Sequence, residues 1–268
     1  MSQYICVDIG GTSIKHGVLD ENAIIKECNQ TKTEAWLGGA AVLDKVKTIG
    51  KQYKEQYENI EGICISTAGM VDPEEGKIVF AGELMPGYTG TCIKKELEKA
   101  LEMPCEVEND VNCAGLAEYV SGSAKESHIM FCATVGTGIG GCAIVNGRVF
   151  HGASNSACEV GYIPMGDSDF QTLGASSILV RKVAEKKIEP LDMWDGKKIF
   201  ALAEKGDKVC ISAIKEMCDV LGKGLATICY VLNPDTIVLG GGIMVQKKIL
   251  ENEIRDSLNR YLRPILAE

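Results

Sequence analysis

The feature that most constrains the fold is a buried strand that stops at a glycine-rich turn and resumes as a second strand. It occurs first in "VDIGGTSIKHGVLD", residues 7–20, and again in "HIMFCATVGTGIGGCAIVNGRVF", residues 128–150. A third strand, "TIVLGGGI" at 236–243, also stops at glycines. Because the strand–turn–strand unit occurs twice, the sequence predicts a duplicated α/β fold with two lobes.

The segments between these units alternate between helical and strand periodicity, which is typical of an α/β protein. The predicted helices lie at 39–57, 92–104, 112–120, 174–187 and 212–232, and a mixed helical region lies at 197–204. A further strand is predicted at 60–66. A chain of 268 residues is long enough for two domains with real cores. We expect one lobe over residues 1–110 and the other over 111–268.

Composition excludes several classes of function. The net charge of -9 argues against a nucleic acid or an anionic membrane as partner, since both require clustered Lys and Arg. The chain has no apolar run long enough to span a membrane and no secretory pattern at its start, so we expect a cytoplasmic protein. Its 12 cysteines are irregularly spaced, which predicts that most of them are buried free thiols and disfavours disulfides and a zinc site.

The glycine turns indicate phosphate binding. Glycine lets the backbone approach a ligand closely, so that N–H groups after a strand can bind phosphate oxygens. A tight hairpin of purely structural function explains one such turn equally well. Three strands that stop in this way, at "DIGGT", "VGTGIGG" and "LGGGI", favour the phosphate interpretation for the set.

A dinucleotide site is a competing interpretation of the second turn. Gly136, Gly138 and Gly141 match the pattern G-x-G-x-x-G, and Glu159 follows at about the distance of a ribose-binding acid. That fingerprint requires a helix after the glycines, whereas "CAIVNGRVF" is β-branched and alternating. The sequence therefore disfavours an NAD-dependent enzyme.

Five segments in order over residues 7–243 resemble the ROK family of sugar kinases and repressors. They are "DIGGTSIKHGVLD", "STAGMVD", "ENDVNCAGLAE", "VGTGIGGCAIVNG" and "LGGGI". The resemblance implies a two-lobed, duplicated actin-like ATPase (ribonuclease H-like) fold, with ATP and sugar in the cleft between the lobes. It places the first phosphate loop and the catalytic Asp in residues 1–110, and the second phosphate loop and the adenosine-binding segment in residues 111–268.

The same resemblance implies which residues bind the nucleotide. They are Gly10, Gly11, Thr12 and Lys15 in the first phosphate loop, Thr137 and Gly138 in the second, and Gly241 and Gly242 beside the adenosine. Asp8 would help to place Mg²⁺ through water, since that ion prefers oxygen ligands. For Lys15, a solvated strand residue is the alternative.

The segment "EVENDVN" carries the catalytic prediction. Taken alone, its Asn and Asp residues could simply cap the helix that is expected to begin near residue 112. The resemblance implies instead that Asp110 is the general base and that Asn109 holds sugar hydroxyls. A carboxylate within hydrogen-bond reach of an acceptor hydroxyl can take its proton as the new phosphorus–oxygen bond forms. The implied sugar-binding residues are Gly69, Asn109, Asp110, Glu159 and Tyr162.

Three departures from the family pattern qualify these expectations. In "SNSACEVGYIPMG", Tyr162 stands where many members have the histidine of a zinc motif, so no structural zinc is expected. Tyr162 is then either a packed aromatic or a sugar-contacting wall, as in a variant similar to β-glucoside kinases and some N-acetylmannosamine kinases. Ala68 replaces a frequent proline, and the chain stops at Glu268, before the last strand and helix that are usual in the family.

The sequence thus predicts an ATP-dependent sugar kinase that phosphorylates the 6-hydroxyl of glucose, N-acetylmannosamine or a β-glucoside. Family habit adds a homodimer as the expected assembly. The alternative is a ROK sugar-binding regulator without catalysis. A DNA-binding repressor is disfavoured, because the first strand starts at residue 4 and leaves no room before it for a helix-turn-helix.

Overall fold

The computed structural model describes residues 2–83 and 85–266. The chain divides into two compact units. The first comprises Met1–Cys113 with Ala153–Ser156, and the second comprises Ala114–Gly152 with Ala157–Glu268. Glu268, after which the family's last strand and helix were expected to be missing, lies outside the described residues. The functions assigned to residues 1–110 and 111–268 stay predictions.

A five-stranded mixed sheet and two helices make up most of the first unit. In chain order its elements are β1 (Gln3–Ile9), β2 (Ser13–Asp20), β3 (Ile25–Lys32), α1 (Gly39–Gln56), β4 (Ile60–Thr67), β5 (Met70–Asp72), β6 (Lys77–Phe80), α2 (Ile93–Leu101) and β7 (Cys105–Asn109). The sheet order is β3-β2-β1-β4-β7, and β5 pairs with β6 separately. The three strands that open the chain are antiparallel, and β4 and β7 then extend the sheet in parallel.

The two faces of this sheet differ in their side chains. Alternate residues of β1 and β4, such as Ile5, Val7 and Ile65, are buried in a core with apolar residues of α1 and α2, among them Val46 and Leu97. This alternation is the period of two that a half-buried strand requires. The opposite face carries the intervening polar and cysteine residues of these strands.

The second unit repeats the strand pattern. Its elements are the rest of α3 (Asp110–Val120), β8 (Ile129–Val135), β9 (Ile139–Val145), β10 (Arg148–Val149), β11 (Pro164–Met165), β12 (Ser168–Asp169), α4 (Phe170–Gly174), α5 (Ser176–Lys187), α6 (Gly196–Glu204), α7 (Lys208–Leu232), β13 (Thr236–Gly240) and α8 (Lys247–Tyr261). The main sheet has the order β10-β9-β8-β13, with β13 parallel to β8. As in the first unit, an antiparallel hairpin is followed by a parallel neighbour.

Helix α7 is the central helix of the second core. Asp207 caps it by accepting hydrogen bonds from the N–H groups of Val209 and Cys210, both at 3.0 Å. A Cβ at Gly224 would lie 2.3 Å from the fully buried ring of Phe170, so the glycine is needed for α7 to pack against α4. Among the described residues, no helix combines the length and apolarity required to cross a bilayer.

Several element boundaries differ from the prediction. Strand β9 begins at Ile139, inside "GTGIGG", so the second turn is limited to residues 136–138. The predicted strand 142–150 is interrupted by a turn at Asn146 and Gly147, both with positive φ. Helix α3 begins at Asp110 rather than near residue 112. Helix α8 was not predicted.

Candidate functional site

The first glycine turn, residues 10–12, is held from the inside by Thr33. The hydroxyl of this fully buried residue donates to Gly10 O (2.6 Å), and its backbone N–H donates to Thr12 O (3.1 Å). Gly10 N–H donates to Ser13 O (3.1 Å). Within residues 2–83 and 85–266, the N–H groups of Gly11 and Thr12 have no acceptor. Two donors are thus available to an anion at this turn.

Charged side chains flank the first turn on both strands. Asp8 of β1 and Lys15 of β2 are partners in the hairpin register, so both belong to the same face of the sheet. The hydroxyl of Ser66 on β4 donates to Asp8 Oδ1 at 2.9 Å. Lys15 is exposed beside this turn.

Asn109 joins the end of β7 to the start of α3, and all of its hydrogen-bonding groups are engaged. Its Oδ1 accepts from the N–H groups of Val111 (2.9 Å) and Asn112 (3.1 Å), which makes Asn109 the N-cap of α3. Its Nδ2 donates to Gly69 O (2.9 Å) and to Asp110 Oδ1 (3.1 Å). Asn109 is therefore a helix cap, as in the alternative interpretation. Its side chain also holds Gly69 and Asp110, two other residues predicted to bind the sugar.

Asp110 lies in the first turn of α3, next to Asn109, and is exposed. Its Oδ1 accepts from Val111 N–H (3.0 Å) and from Asn109 Nδ2 (3.1 Å), whereas no other residue among those described donates to its Oδ2. Desolvation by the surrounding protein raises the pKa of Asp110, and the negative charge of Asp8 raises it further. Oδ1 is thus held by hydrogen bonds, whereas Oδ2 is available to a ligand. The raised pKa makes the carboxylate a stronger base.

Gly69 follows β4 and requires glycine. Its φ of 104° lies in the left-handed region, and a Cβ there would be 2.7 Å from Phe80 O. The preceding strand end is fixed by the buried Thr67, whose hydroxyl hydrogen-bonds the hydroxyl of buried Tyr88 at 2.7 Å. The loop forms although Ala68 replaces the proline that is frequent in the family. In this unit, the structure brings together the predicted residues Gly69, Asn109 and Asp110.

The second glycine turn, residues 136–138, is tied to the start of α5. Gly136 O accepts both the N–H (2.9 Å) and the hydroxyl (2.6 Å) of Ser176, and Thr137 O accepts the hydroxyl of Ser177 (2.7 Å). Gly136 N–H donates to Gly138 O (2.9 Å). In the described part of the chain, the N–H groups of Thr137 and Gly138 have no acceptor. As in the first turn, the carbonyl groups are bound within the protein and two N–H groups are available to an anion.

A cavity of about 470 Å³ opens beside this second turn. Its lining combines apolar side chains with a few polar groups, as expected for a small-molecule site. The lining residues are Gly136, Thr137, Ser176, Ser177, Leu179, Val180, Asp195, Gly196, Lys197, Phe200, Gly242, Ile243, Val245 and Gln246. The predicted Thr137 and Gly242 are among them. Most of the others were missed by sequence reasoning, because they come from three separated segments that share no motif.

Gly241 lies between β13 and the cavity-lining segment, and its conformation again requires glycine. Its φ is 96°, and a Cβ would be 2.3 Å from Val135 O, at the end of β8. A Cβ on Gly242, by contrast, would have no neighbour within 4 Å. Gly241 therefore allows the close approach of two strand ends, whereas Gly242 presents bare backbone to the cavity.

The predicted sugar-binding residues of the second unit lie around a short 3₁₀ helix, Val160–Tyr162. Glu159 precedes it and is exposed, and Tyr162 is 58% exposed, so a packed core aromatic does not explain Tyr162. A Cβ on Gly161 would be 2.4 Å from Ile139 O, so this glycine lets the segment pack against the start of β9.

The residues around Asp8 fit a hydrated divalent cation better than a fully protein-bound one. Among residues 2–83 and 85–266, no cluster of three or more His, Cys, Asp or Glu side chains could hold a metal ion. Asp8 is nevertheless close enough to Asp110 for its charge to raise the pKa of Asp110. Two carboxylates suit Mg²⁺, which keeps several waters and commonly binds through one or two carboxylates and substrate phosphates.

Comparisons with known proteins identify the family of this chain. The profile described as "ROK family" matches residues 4–268. An uncharacterized protein of Clostridium perfringens (strain 13) is 46% identical over 263 residues, covering 98% of this chain and 88% of that protein. A beta-glucoside kinase of Klebsiella pneumoniae is 31% identical over 245 residues, covering 88% of this chain and 80% of that enzyme.

A solved structure extends the likeness to three dimensions. The crystal structure of a ROK family glucokinase from Streptomyces griseus, in complex with glucose and AMPPNP, matches with a TM-score of 0.84 and 26% identity. The match covers 97% of this chain and 90% of that enzyme. The chain therefore belongs to the ROK family and has the actin-like ATPase fold.

Proposed function

We propose that this protein is an ATP-dependent sugar kinase that transfers the γ-phosphoryl group to the 6-hydroxyl of a hexose or hexose derivative. The observation that carries the proposal is the state of Asp110. One of its oxygens is anchored by Val111 and Asn109, the other is available, and its pKa is raised. A carboxylate prepared in this way suits the removal of a proton from a hydroxyl.

The second unit would bind the nucleoside. Its cavity has apolar walls that include Leu179, Phe200 and Ile243, which suit a purine ring. The bare backbone of Gly242 lies in the same wall. The Klebsiella pneumoniae enzyme is named a kinase and the Streptomyces griseus structure contains AMPPNP, which supports ATP as the nucleotide.

The phosphates would bind at the two turns. The N–H groups of Gly11, Thr12, Thr137 and Gly138 are without protein acceptors in the described part of the chain, and such donors stabilise phosphate charge at low reorganisation cost. Lys15 would add a positive charge beside the first turn, and Asp8 would hold Mg²⁺ through water. ATP supplies the phosphoryl group, so the protein contributes mainly positioning and electrostatics.

The sugar would be oriented by Gly69, Asn109, Glu159 and Tyr162. A sugar hydroxyl can reach Asn109 only by replacing one of its four existing hydrogen bonds. The larger contribution of Asn109 is then to fix Asp110 and the Gly69 loop. Asp110 accepts the proton of the acceptor hydroxyl as that oxygen bonds to phosphorus.

An ATP-coupled assay tests the proposal with glucose, N-acetylmannosamine, N-acetylglucosamine, mannose, fructose, allose and cellobiose. In Asp110→Asn we expect kcat to fall by about 10² or more with little change in sugar affinity, as for loss of a general base. Asp44→Asn is the control, because that side chain is 78% exposed on α1. Undiminished turnover in Asp110→Asn would remove Asp110 from its role. Sugar binding by calorimetry without any turnover would overturn the kinase proposal in favour of a sugar-binding regulator.

A further inference from the structure

Strand register brings two cysteines together in the first unit. Strands β1 and β4 are parallel neighbours, and Cys6 is the register partner of Cys64. Both residues lie on the sheet face opposite the core that contains Ile5, Val7 and Ile65. Because neighbouring strands are about 4.8 Å apart, two thiols in this arrangement are adjacent.

The two thiols differ in accessibility. Cys6 is half-buried, whereas Cys64 is exposed. A peroxide in solution therefore meets the sulfur of Cys64 first, so Cys64 is the nucleophile and Cys6 is the thiol that resolves it. The carboxylate of Glu106, the register partner of Cys64 on β7, is paired with Lys94 at 3.1 Å.

Other cysteines nearby are poorer partners. Burial raises the pKa of Cys113 to about 12, so its thiol stays protonated. Exposed Cys28 lies in the same row across the sheet, but β2 separates β3 from β1, with Gly17 between Cys28 and Cys6. Two strand spacings are about 9.6 Å, which is too far for a disulfide.

We propose that Cys6 and Cys64 form a reversible redox modification site whose oxidant is a peroxide. The sulfur of Cys64 attacks hydrogen peroxide, the oxygen–oxygen bond breaks, and a sulfenic acid and one water form. The sulfur of Cys6 then attacks the sulfenic sulfur, and its proton leaves with the hydroxyl group as a second water. Two thiols lose two electrons in total, and one peroxide is reduced to two waters. A dithiol reductant reverses the step.

The disulfide would act on the candidate site through the strands. The next residues on the same face are Asp8 and Ser66, which are register partners joined by a 2.9 Å hydrogen bond. A disulfide holds its two Cβ atoms about 3.5–4.5 Å apart, so it fixes the separation of β1 and β4 at this point. This consequence rests on the proposed kinase function. We expect oxidation to lower turnover by about tenfold, because small displacements of positioning groups are costly.

Peptide mapping by mass spectrometry tests the site without reference to activity. The wild-type protein is treated with hydrogen peroxide, its remaining thiols are alkylated, and its peptides are analysed with and without dithiothreitol. We expect a Cys6–Cys64 cross-link that dithiothreitol removes, and the same cross-link in the control Cys28→Ser. In Cys6→Ser, dimedone should trap a sulfenic acid on Cys64. A cross-link to Cys113, or sulfinic acid on Cys64 without a cross-link, would overturn the proposal.

The activity consequence is measured separately in the ATP-coupled assay. Turnover of the wild type should fall on oxidation and return with dithiothreitol, whereas Cys64→Ser should be insensitive to peroxide. A complete disulfide with unchanged turnover would overturn the link to Asp8. If no sugar is phosphorylated at all, the kinase proposal fails while peptide mapping still decides on the thiol site.

Discussion

The two glycine turns reach the same result by different means. In each, carbonyl groups are bound within the protein while two consecutive N–H groups have no acceptor in the described part of the chain. The first turn is held by one buried residue, Thr33, just after β3. The second is held by Ser176 and Ser177 at the start of α5. The two turns therefore share the availability of their backbone N–H groups, whereas the side chains that hold each turn differ between the units.

The parallel strands next to the two hairpins, β4 and β13, also end in the same way. Gly69 after β4 has a φ of 104°, and Gly241 after β13 has a φ of 96°. A Cβ on either would approach a backbone carbonyl closely, at 2.7 and 2.3 Å respectively. The units differ in what surrounds this shared scaffold. The first carries Asp8 and Asp110, whereas the second carries the cavity beside its turn.

The largest effect is expected when the shared glycines are replaced. Gly241→Ala should lower the free energy of unfolding by about 3 kcal/mol or more, since backbone strain at positive φ adds to a contact with a rigid carbonyl. Gly69→Ala should cost slightly less, because its contact is longer. The controls Gly11→Ala and Gly242→Ala meet nothing within 4 Å and should stay within about 0.5 kcal/mol of wild type. Urea unfolding measures all four, and equal costs at Gly241 and Gly242 would contradict the assignment.

Removing the support of the first turn should have the next largest effect. Thr33→Val deletes the hydroxyl that donates to Gly10 O and should raise the KM for ATP about tenfold, with the sugar KM unchanged. Thr33→Ser keeps the hydroxyl and should restore most of the affinity. Steady-state kinetics with each substrate varied gives this result. Equal increases in both KM values would indicate a general structural defect.

The matching substitution in the second unit should have a smaller effect on the KM for ATP. Ser176→Ala removes a hydroxyl from Gly136 O, but the N–H of residue 176 still donates to the same oxygen at 2.9 Å. We expect the KM for ATP to rise about threefold, consistent with the loss of one of two hydrogen bonds. The assay used for Thr33→Val applies. An effect larger than that of Thr33→Val would reverse the proposed order of the two supports.

The smallest effect concerns pH. Asp110 must be ionised to accept a proton, so kcat/KM should fall as the pH drops through its raised pKa, above the range of an ordinary aspartate. In Asp8→Asn one cause of the raised pKa is removed, and the acid limb should move to lower pH, whatever the loss in plateau rate. A pH–rate profile of each protein measures the shift, and a limb that moves to higher pH would contradict the proposed influence of Asp8.

The sequence predicted the elements whose signal is local. The opening strands, the two hairpins and the glycine stops follow from alternation and turn chemistry. The length of the second turn was overestimated, because Gly140 and Gly141 are strand residues that permit close packing: a Cβ on Gly141 would lie 2.7 Å from Cys158 O. Helix α8 was missed although Leu250 and Ile254 have helical spacing.

The remaining features depend on contacts between distant segments. Thr33 is an ordinary strand-end threonine in sequence, and only its burial against the Gly10 turn reveals its function. The cavity likewise combines α5, the start of α6 and the segment after β13. The resemblance to the ROK family suggested Asp110, but not that Asn109 already uses all of its donors and acceptors.

The position of Asp110 in the first turn of α3 has a consequence for its charge. Aligned peptide dipoles give a helix start a partial positive charge, which favours an anion there. This attraction opposes the desolvation and the repulsion by Asp8 that increase proton affinity. Two local influences thus act on this carboxylate in opposite directions: the helix start stabilises its ionised form, whereas desolvation and the charge of Asp8 raise its pKa.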